Sequence, residues 1–194
     1  MARVIDETKL VRVHEAAMEL IVEKGYAGAS IFLIAKKADV SEGYLYRFYK
    51  GKEQLVNSLL DNTLKEVSEI LDTYFDKHES AITIMEGLLS AICKIAEKKP
   101  VQIKFIFVML SSYNFTASED IKNNMIETLN KLLIIGQKQN FIDENLSVDH
   151  FFTMLIIYPI QFINFRLKQF LRKGTFSRKD KKSLIEFVTE TLKK

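Results

Sequence analysis

The sequence holds a single cysteine, Cys93, two prolines, seven glycines and no tryptophan. One thiol excludes an intramolecular disulfide and any four-thiolate zinc site, and it fits a reducing compartment. So few prolines and glycines argue against a loop-rich, all-β or disordered chain. No signal peptide is expected, because the stretch from Met1 to Glu7 becomes charged before an apolar segment of that length develops. The longest charge-free apolar stretch, Phe151 to Phe165, has 15 residues and contains Pro159. A bilayer takes about 17–25 apolar residues, so this is read as a buried helix and no membrane partner is expected. His14, His78 and His150 lie far apart and show no zinc-helix spacing. Cys93 has no nucleophile motif around it, and no glycine-rich phosphate loop is present. No metal, cofactor or enzymatic activity is expected, and the expected location is cytoplasmic.

What the chain does have is helical periodicity. It is 47% hydrophobic and 27% charged, ordinary for a globular protein, and 194 residues suffice for one sizeable core or two modest ones. Leu10, Val13, Ala17, Leu20 and Ile21 recur at helical spacing and predict a first helix from about Asp6 to Lys24, closed by Gly25. Ser30 and Ser41 stand where N-caps belong for two short helices, about 31–38 and 42–49. Gly51 precedes a long helix running from about Lys52 toward Phe75. Further helices are expected over about 80–98, ended by Pro100, then 101–113, 119–138, 147–172 and 178–193. Ser147 and Ser177 serve as their N-caps and Gly174 as a stop. Pro159 lies inside the 147–172 segment and predicts a kink there. The fold class is therefore all-α.

The formal net charge of +3 is unevenly spread. Residues 1–55 carry 9 Lys/Arg against 8 Asp/Glu, residues 56–165 carry 9 against 14, and residues 166–194 carry 10 against 3. Charge alone would put a nucleic-acid surface at the C-terminal end. A motif near the other end places it elsewhere.

Two short helices joined by Ala38-Asp39-Val40-Ser41 have the proportions of a helix-turn-helix. Its buried side would use Ile34, Ala35 and Val40 with Leu45 and Tyr49, and the small Ala35 lets the helices approach closely. The opposite face of the second helix presents Glu42, Gly43, Tyr44 and Arg47. Such a helix can enter the major groove, where each base pair shows a distinct donor and acceptor pattern. The ordered set Ala17, Leu20, Gly25-Tyr26, Ser30, Ile34-Ala35, Val40-Ser41, Gly43, Leu45-Tyr46, Tyr49 and Lys52-Glu53 through Leu55 resembles the N-terminal signature of the TetR (tetracycline repressor) family. The match covers about fifty residues without a gap, so the alternative of a mere packing unit is set aside.

The resemblance implies an N-terminal three-helix DNA-binding domain, residues 1–51, and a larger helical effector-binding and dimerisation domain, residues 52–194. It implies phosphate contacts for Ser30, Ser41, Tyr46 and Lys52, and base or backbone contacts for Glu42, Gly43, Tyr44 and Arg47. Arg47 is the first choice for a base contact, to guanine. Three positions depart from the family pattern. Asp39 stands where glycine is frequent, yet Asp tolerates a left-handed turn. Gly51 replaces a polar cap and remains an acceptable one. Phe48 stands where a polar residue is frequent, so no phosphate contact is expected of it, and its alternatives are to stack, to pack inward or to touch a thymine methyl.

Beyond residue 56 lie 12 of the 14 phenylalanines, including Phe105, Phe107, Phe115, Phe141, Phe151, Phe152, Phe162 and Phe165. The resemblance implies an effector cavity among these helices and pairing of the last two long helices in a homodimer. Phe105, Met109, Tyr113, Phe162 and Phe165 are expected to line the cavity, with Gln161 or Asn164 as polar anchors. Ordinary core packing is the competing reading for each. The basic stretch of Arg166, Lys168, Arg172, Lys173, Arg178, Lys179, Lys181 and Lys182 would lie away from the DNA. It is read as a solvated face, the sharper alternative being a site for an anionic effector such as an acyl-CoA phosphate. The implied function is a repressor released from a palindromic double-stranded operator by a small apolar or aromatic effector. The alternatives are a DNA-bound scaffold that recruits a protein and senses no small molecule, a helical enzyme retaining this module, and a ligand-binding protein that has lost DNA binding.

Overall fold

A computed structural model describes residues 7–77, 79–113 and 117–194. Asp6, His78 and Phe115 fall outside the described residues. The helices are α1 (Glu7–Gly28), α2 (Ile31–Lys37), α3 (Glu42–Tyr46), α4 (Lys52–Asp76), α5 (Ala81–Lys98), α6 (Pro100–Leu110), α7 (Glu119–Lys138), α8 (Val148–Phe152), α9 (Tyr158–Leu167) and α10 (Arg178–Leu192). No strand occurs among the described residues. The four expected serine caps are all formed: Ser30, Ser41, Ser147 and Ser177 accept from Leu33, Tyr44, His150 and Asp180 N–H. Ser80 and Ser118 cap α5 and α7 in the same way. Each such cap satisfies one of the free N–H groups of a helix start, worth about 1 kcal/mol.

Two apolar cores result. In the first, Val13, Ala17, Leu20 and Ile21 of α1 pack on Ile34, Ala35 and Leu45. Leu55, Val56 and Leu59 from the start of α4 complete it, together with Phe105 and Met109 of α6. The second gathers Leu71 and Phe75 of α4 with the buried faces of α5, α7, α8, α9 and α10. Gly87 lets α5 lie close on α4, since a Cβ there would meet the Tyr74 ring at 2.5 Å. The two cores therefore meet across α4 and α6, and the first extends past residue 51.

The direction of each helix decides which loops lie near α1. Lys99, after α5, pairs with Glu66 at 2.9 Å, so α5 returns antiparallel to α4. Ser118 N–H donates to Asn57 Oδ1 at 3.1 Å, placing the start of α7 beside the start of α4. At the far end, Ala81 N–H donates to Gln139 Oε1 at 2.8 Å, and Lys194 N–H donates to the Phe141 carbonyl at 2.7 Å. Helix α9 runs back toward α6, where the Lys168 ammonium sits 5.5 Å from the Phe107 ring centre. The 168–177 segment thus lies at the end of the bundle that adjoins α6 and, through it, α1. The basic stretch begins at the end of the bundle nearer the N-terminal helices, with α6 between, rather than at the far end as expected.

Helix α1 runs on to Gly28 through a kink at Gly25, φ +71°, and α6 closes at Leu110, three residues short of expectation. Three further boundaries differ for reasons visible in the structure. Residues 153–157 form a π turn between α8 and α9, and Tyr158 N–H reaches back to the Thr153 carbonyl. This is how the chain accommodates Pro159, which has no N–H to donate to the preceding turn. Helix α9 ends at Leu167, five residues short of expectation, with Gln169 at φ +52°. The cause is Arg166, which is 7% exposed: its guanidinium donates to the Arg172 and Thr175 carbonyls and to Asp180. A buried guanidinium needs such partners, so the chain folds back around it and Gly174 is not the stop. Arg166 therefore leaves the solvated basic face, while Arg172 stays exposed and is paired with Asp180. Burial opposes ionisation of Asp180, but Ser177 and Arg166 outweigh it and hold its carboxyl below the usual range. Third, α3 closes at Tyr46 because Arg47 and Phe48 N–H bond to the Tyr44 and Leu45 carbonyls three residues back.

Val148–Leu167 is long and apolar enough by composition to cross a bilayer. Here Phe151, Leu155, Ile160 and Ile163 from it lie in the second core.

Candidate nucleic-acid interface

The turn between α2 and α3 is built from local chemistry. Asp39 adopts φ +54°, the left-handed position expected of it. Val40 N–H then bonds to the Ala35 carbonyl at 3.0 Å, closing the turn. Ile34, Ala35, Leu45 and Tyr49 are buried as expected, while Val40 is half-buried. The Tyr49 hydroxyl lies 2.7 Å from His14 Nε2, tying the end of the motif to α1. Burial lowers the His14 pKa, so the neutral ring is favoured there. Lys37 is held between Glu19 and Glu23 at 3.0 and 2.9 Å, and Arg12 lies 3.5 Å from Asp39. These exposed pairs contribute little each, but they fix α2 against α1.

Outside this frame, Ser41, Glu42, Gly43, Tyr46 and Arg47 are exposed, and Tyr46 retains 57% of its surface. Ser30 is also exposed. Both serine oxygens accept a cap bond, which leaves each O–H proton to donate to an oxyanion. Tyr44 is half-buried against Phe48, with ring centres 5.1 Å apart. Phe48 itself packs inward rather than facing solvent, and the Arg47 guanidinium lies 5.9 Å from its ring. Lys52 differs from a free phosphate ligand. Its ammonium donates to the Tyr26 carbonyl at 2.7 Å and lies 4.2 Å from the Tyr26 ring, and burial lowers its pKa. One of its three protons is thus spent holding α4 to the end of α1. Exposed Lys36 and Lys50, which flank the motif without an ion pair among the described residues, were not in the expected set. Unpaired positive charge within a few residues of the turn is the signal that points to them.

The two-helix motif thus turns its second helix outward. Residues 14–59 match the model of bacterial regulatory proteins, tetR family. That stretch of the chain is similar to the N-terminal segment of the TetR family. It is 32% identical over 109 residues to the HTH-type transcriptional regulator YvkB of Bacillus subtilis, covering 53% of this chain and 58% of that protein. The chain spans about half the length of the curated relatives it matches. Its fold matches a TetR family transcription regulator from Marinobacter aquaeolei VT8 with a TM-score of 0.77 at 17% identity, covering 97% of both chains. It matches the Bacillus subtilis transcriptional regulator FadR in complex with stearoyl-CoA with a TM-score of 0.74 at 20% identity, covering 94% of this chain and 97% of that one. These likenesses show the TetR fold, with a small N-terminal helix-turn-helix domain and a larger helical domain.

Within the TetR fold, the residues expected to line a cavity are not brought together. Phe105 and Met109 lie in the first core, against α1. Tyr113 is fully exposed beyond the end of α6. Gln161 and Phe162 are half-buried, and Phe165 turns outward to stack on Phe170 with ring centres 5.4 Å apart. The reason is helical geometry: positions 105 and 109 share one side of α6, while Ile103 and Phe107, two residues away, face the second core. On α9 the inward side carries Ile160, Ile163 and Asn164. Asn164 is 1% exposed, and its Nδ2 has no hydrogen-bond partner among the described residues. Cys93 is fully buried, and burial pushes its thiol up to about 12. It holds no thiolate at neutral pH. No group of three metal-ligating side chains occurs among the described residues.

Proposed function

We propose that this chain is a TetR-family, sequence-specific, DNA-binding transcriptional repressor that acts as a homodimer in the bacterial cytoplasm. The observation that carries the reading is the outward face of α3. Glu42, Gly43, Tyr46 and Arg47 stand in solvent while Leu45 and Tyr49 anchor the same segment in the core. A short, firmly seated helix with polar groups outward is the shape that reads base edges in a major groove. Ser30 and Ser41 supply O–H donors for flanking phosphates, and Lys52 has two N–H groups left for the same purpose.

The test starts from an operator selected out of genomic fragments by the purified protein. Arg47→Ala should weaken binding to it by about 1–3 kcal/mol, roughly tenfold or more, and relax preference at one base pair. The fold and dimer should be unchanged. Equal affinity of Arg47→Ala and wild type at equal salt would refute the recognition-helix reading.

Dimerisation is proposed across α9 and α10. Tyr158 stacks on Phe162 and Phe187, with ring centres 6.2 and 5.1 Å apart, and Phe187 and Phe165 remain 50% and 37% exposed. An apolar aromatic stripe of this kind on a small protein is suited to burial against a second copy.

The effector is proposed to be a small, mostly apolar molecule received between the inward faces of the larger domain. The Asn164 amide supports an acceptor oxygen on that molecule, because an unpaired donor in an apolar interior costs free energy until something accepts from it. FadR of Bacillus subtilis, similar in fold, binds stearoyl-CoA in its crystal structure, which makes an acyl group a reasonable first probe. Effector binding would act on DNA through α4 and α6, the two helices that contribute to both cores. A coupling of about 1–3 kcal/mol would suffice to release the operator.

A further inference from the structure

The basic segment between α9 and α10 has no part in the interface described above. Eight cations occur from Arg166 to Lys182, and Asp180 is the only carboxylate between residues 166 and 185. That carboxylate is 1% exposed and bonded to Arg166, Arg172 and Ser177, so it is consumed inside the fold. Lys173, Arg178 and Lys179 are exposed and form no ion pair among the described residues. Four of the first five residues of α10 are cations. That is the unfavourable end for positive charge, because the free N–H groups there already make the helix start positive. The arrangement therefore costs helix stability, and it calls for an anionic partner outside the chain. The partner must come from the side on which the segment lies. The chain direction sets that side: α9 returns from the far end toward α6, so the segment lies at the end of the bundle nearer the DNA-binding helices, with α6 between it and α1.

We propose that the 168–182 segment is a second DNA-binding surface, attracting backbone phosphates of the duplex held by the recognition helices. The inference rests on the DNA-binding function proposed above. Arg166 and Asp180 keep the segment in one shape, so its cations are presented on a fixed scaffold rather than on a loose tail. In a dimer joined across α9 and α10 the two segments lie toward the middle of the operator, between its half-sites. Contacts of this type raise affinity for any sequence and are released by salt, because each phosphate neutralised sets free condensed counterions. They add nothing to base preference.

The test compares wild type with the Lys173→Gln/Arg178→Gln/Lys179→Gln variant, which leaves Arg166, Arg172 and Asp180 intact. Affinity for the selected operator and for a mixed-sequence duplex is measured against salt concentration. The variant should bind both duplexes at least about tenfold more weakly at 50 mM salt, with the slope of log affinity on log salt reduced by up to about five, three cations being lost from each of two protomers. Its melting temperature should be equal or higher, since removing cations from a helix start relieves the dipole penalty. An unchanged slope with specific operator binding retained overturns this proposal alone. A wild type that binds neither duplex overturns the repressor reading with it. Exposed Phe170 and Leu171 on the same segment would also suit an anionic lipid surface. Binding to phosphatidylglycerol vesicles, lost in the variant while the DNA slope stays the same, would assign the segment to a membrane and overturn the DNA assignment.

Discussion

The N-terminal core and the larger core are both all-helical and both well buried, yet they constrain their sequences differently. In the first, particular residues carry particular geometric duties. Ala35 sits at a helix crossing, Asp39 takes a left-handed conformation, and Ser30 and Ser41 close helix starts. In the second, the requirement at most positions is only an apolar side chain at helical spacing, which many sequences meet. That difference explains why the family match ends at residue 59 while fold likeness extends over nearly the whole chain.

The largest effect tests whether the two regions are separable. Phe105 is encoded in the larger region but fully buried against α1. Phe105→Ala should cost about 3–5 kcal/mol in denaturant unfolding, and amide exchange should accelerate in α1 as well as α6. Unchanged protection in α1 would show the first core standing without α6.

A smaller effect, of opposite sign, concerns Asn164 Nδ2, the one buried amide nitrogen left unpaired among the described residues. Asn164→Leu should raise stability by about 1 kcal/mol, since an unpaired buried donor is replaced by an apolar group, while the response to an acyl effector weakens. A loss of stability instead would mean that the amide is already paired in solution.

The smallest effect belongs to the first core and sets it apart from the second. Burial depresses the His14 pKa in the folded state below its ordinary value of 6.5. The unfolded chain then binds the proton more readily, so folding stability is intact above about pH 6.5 and declines as the pH falls through that range toward the folded value. His14→Gln should flatten this part of the stability curve. An identical acid limb in both proteins would assign the pH dependence to other groups.

Fold class, helix order, the four expected serine caps and the helix-turn-helix were legible in the sequence because they are local. A cap serine bonds three residues ahead, an amphipathic stripe repeats every 3.6 residues, and the left-handed turn at Asp39 needs only its neighbours. What tertiary structure alone decided is the facing of elements that look equivalent in one dimension. It sent Phe105 to the first core and Phe107 to the second, and turned Phe165 outward while Asn164 went in. It also ended α9 early around Arg166, because a buried guanidinium gathers partners from residues 172, 175 and 180. The basic segment shows the same division. Its charge is written in the chain, but only the antiparallel return of α9 toward α6 decides which side of the molecule that charge confronts.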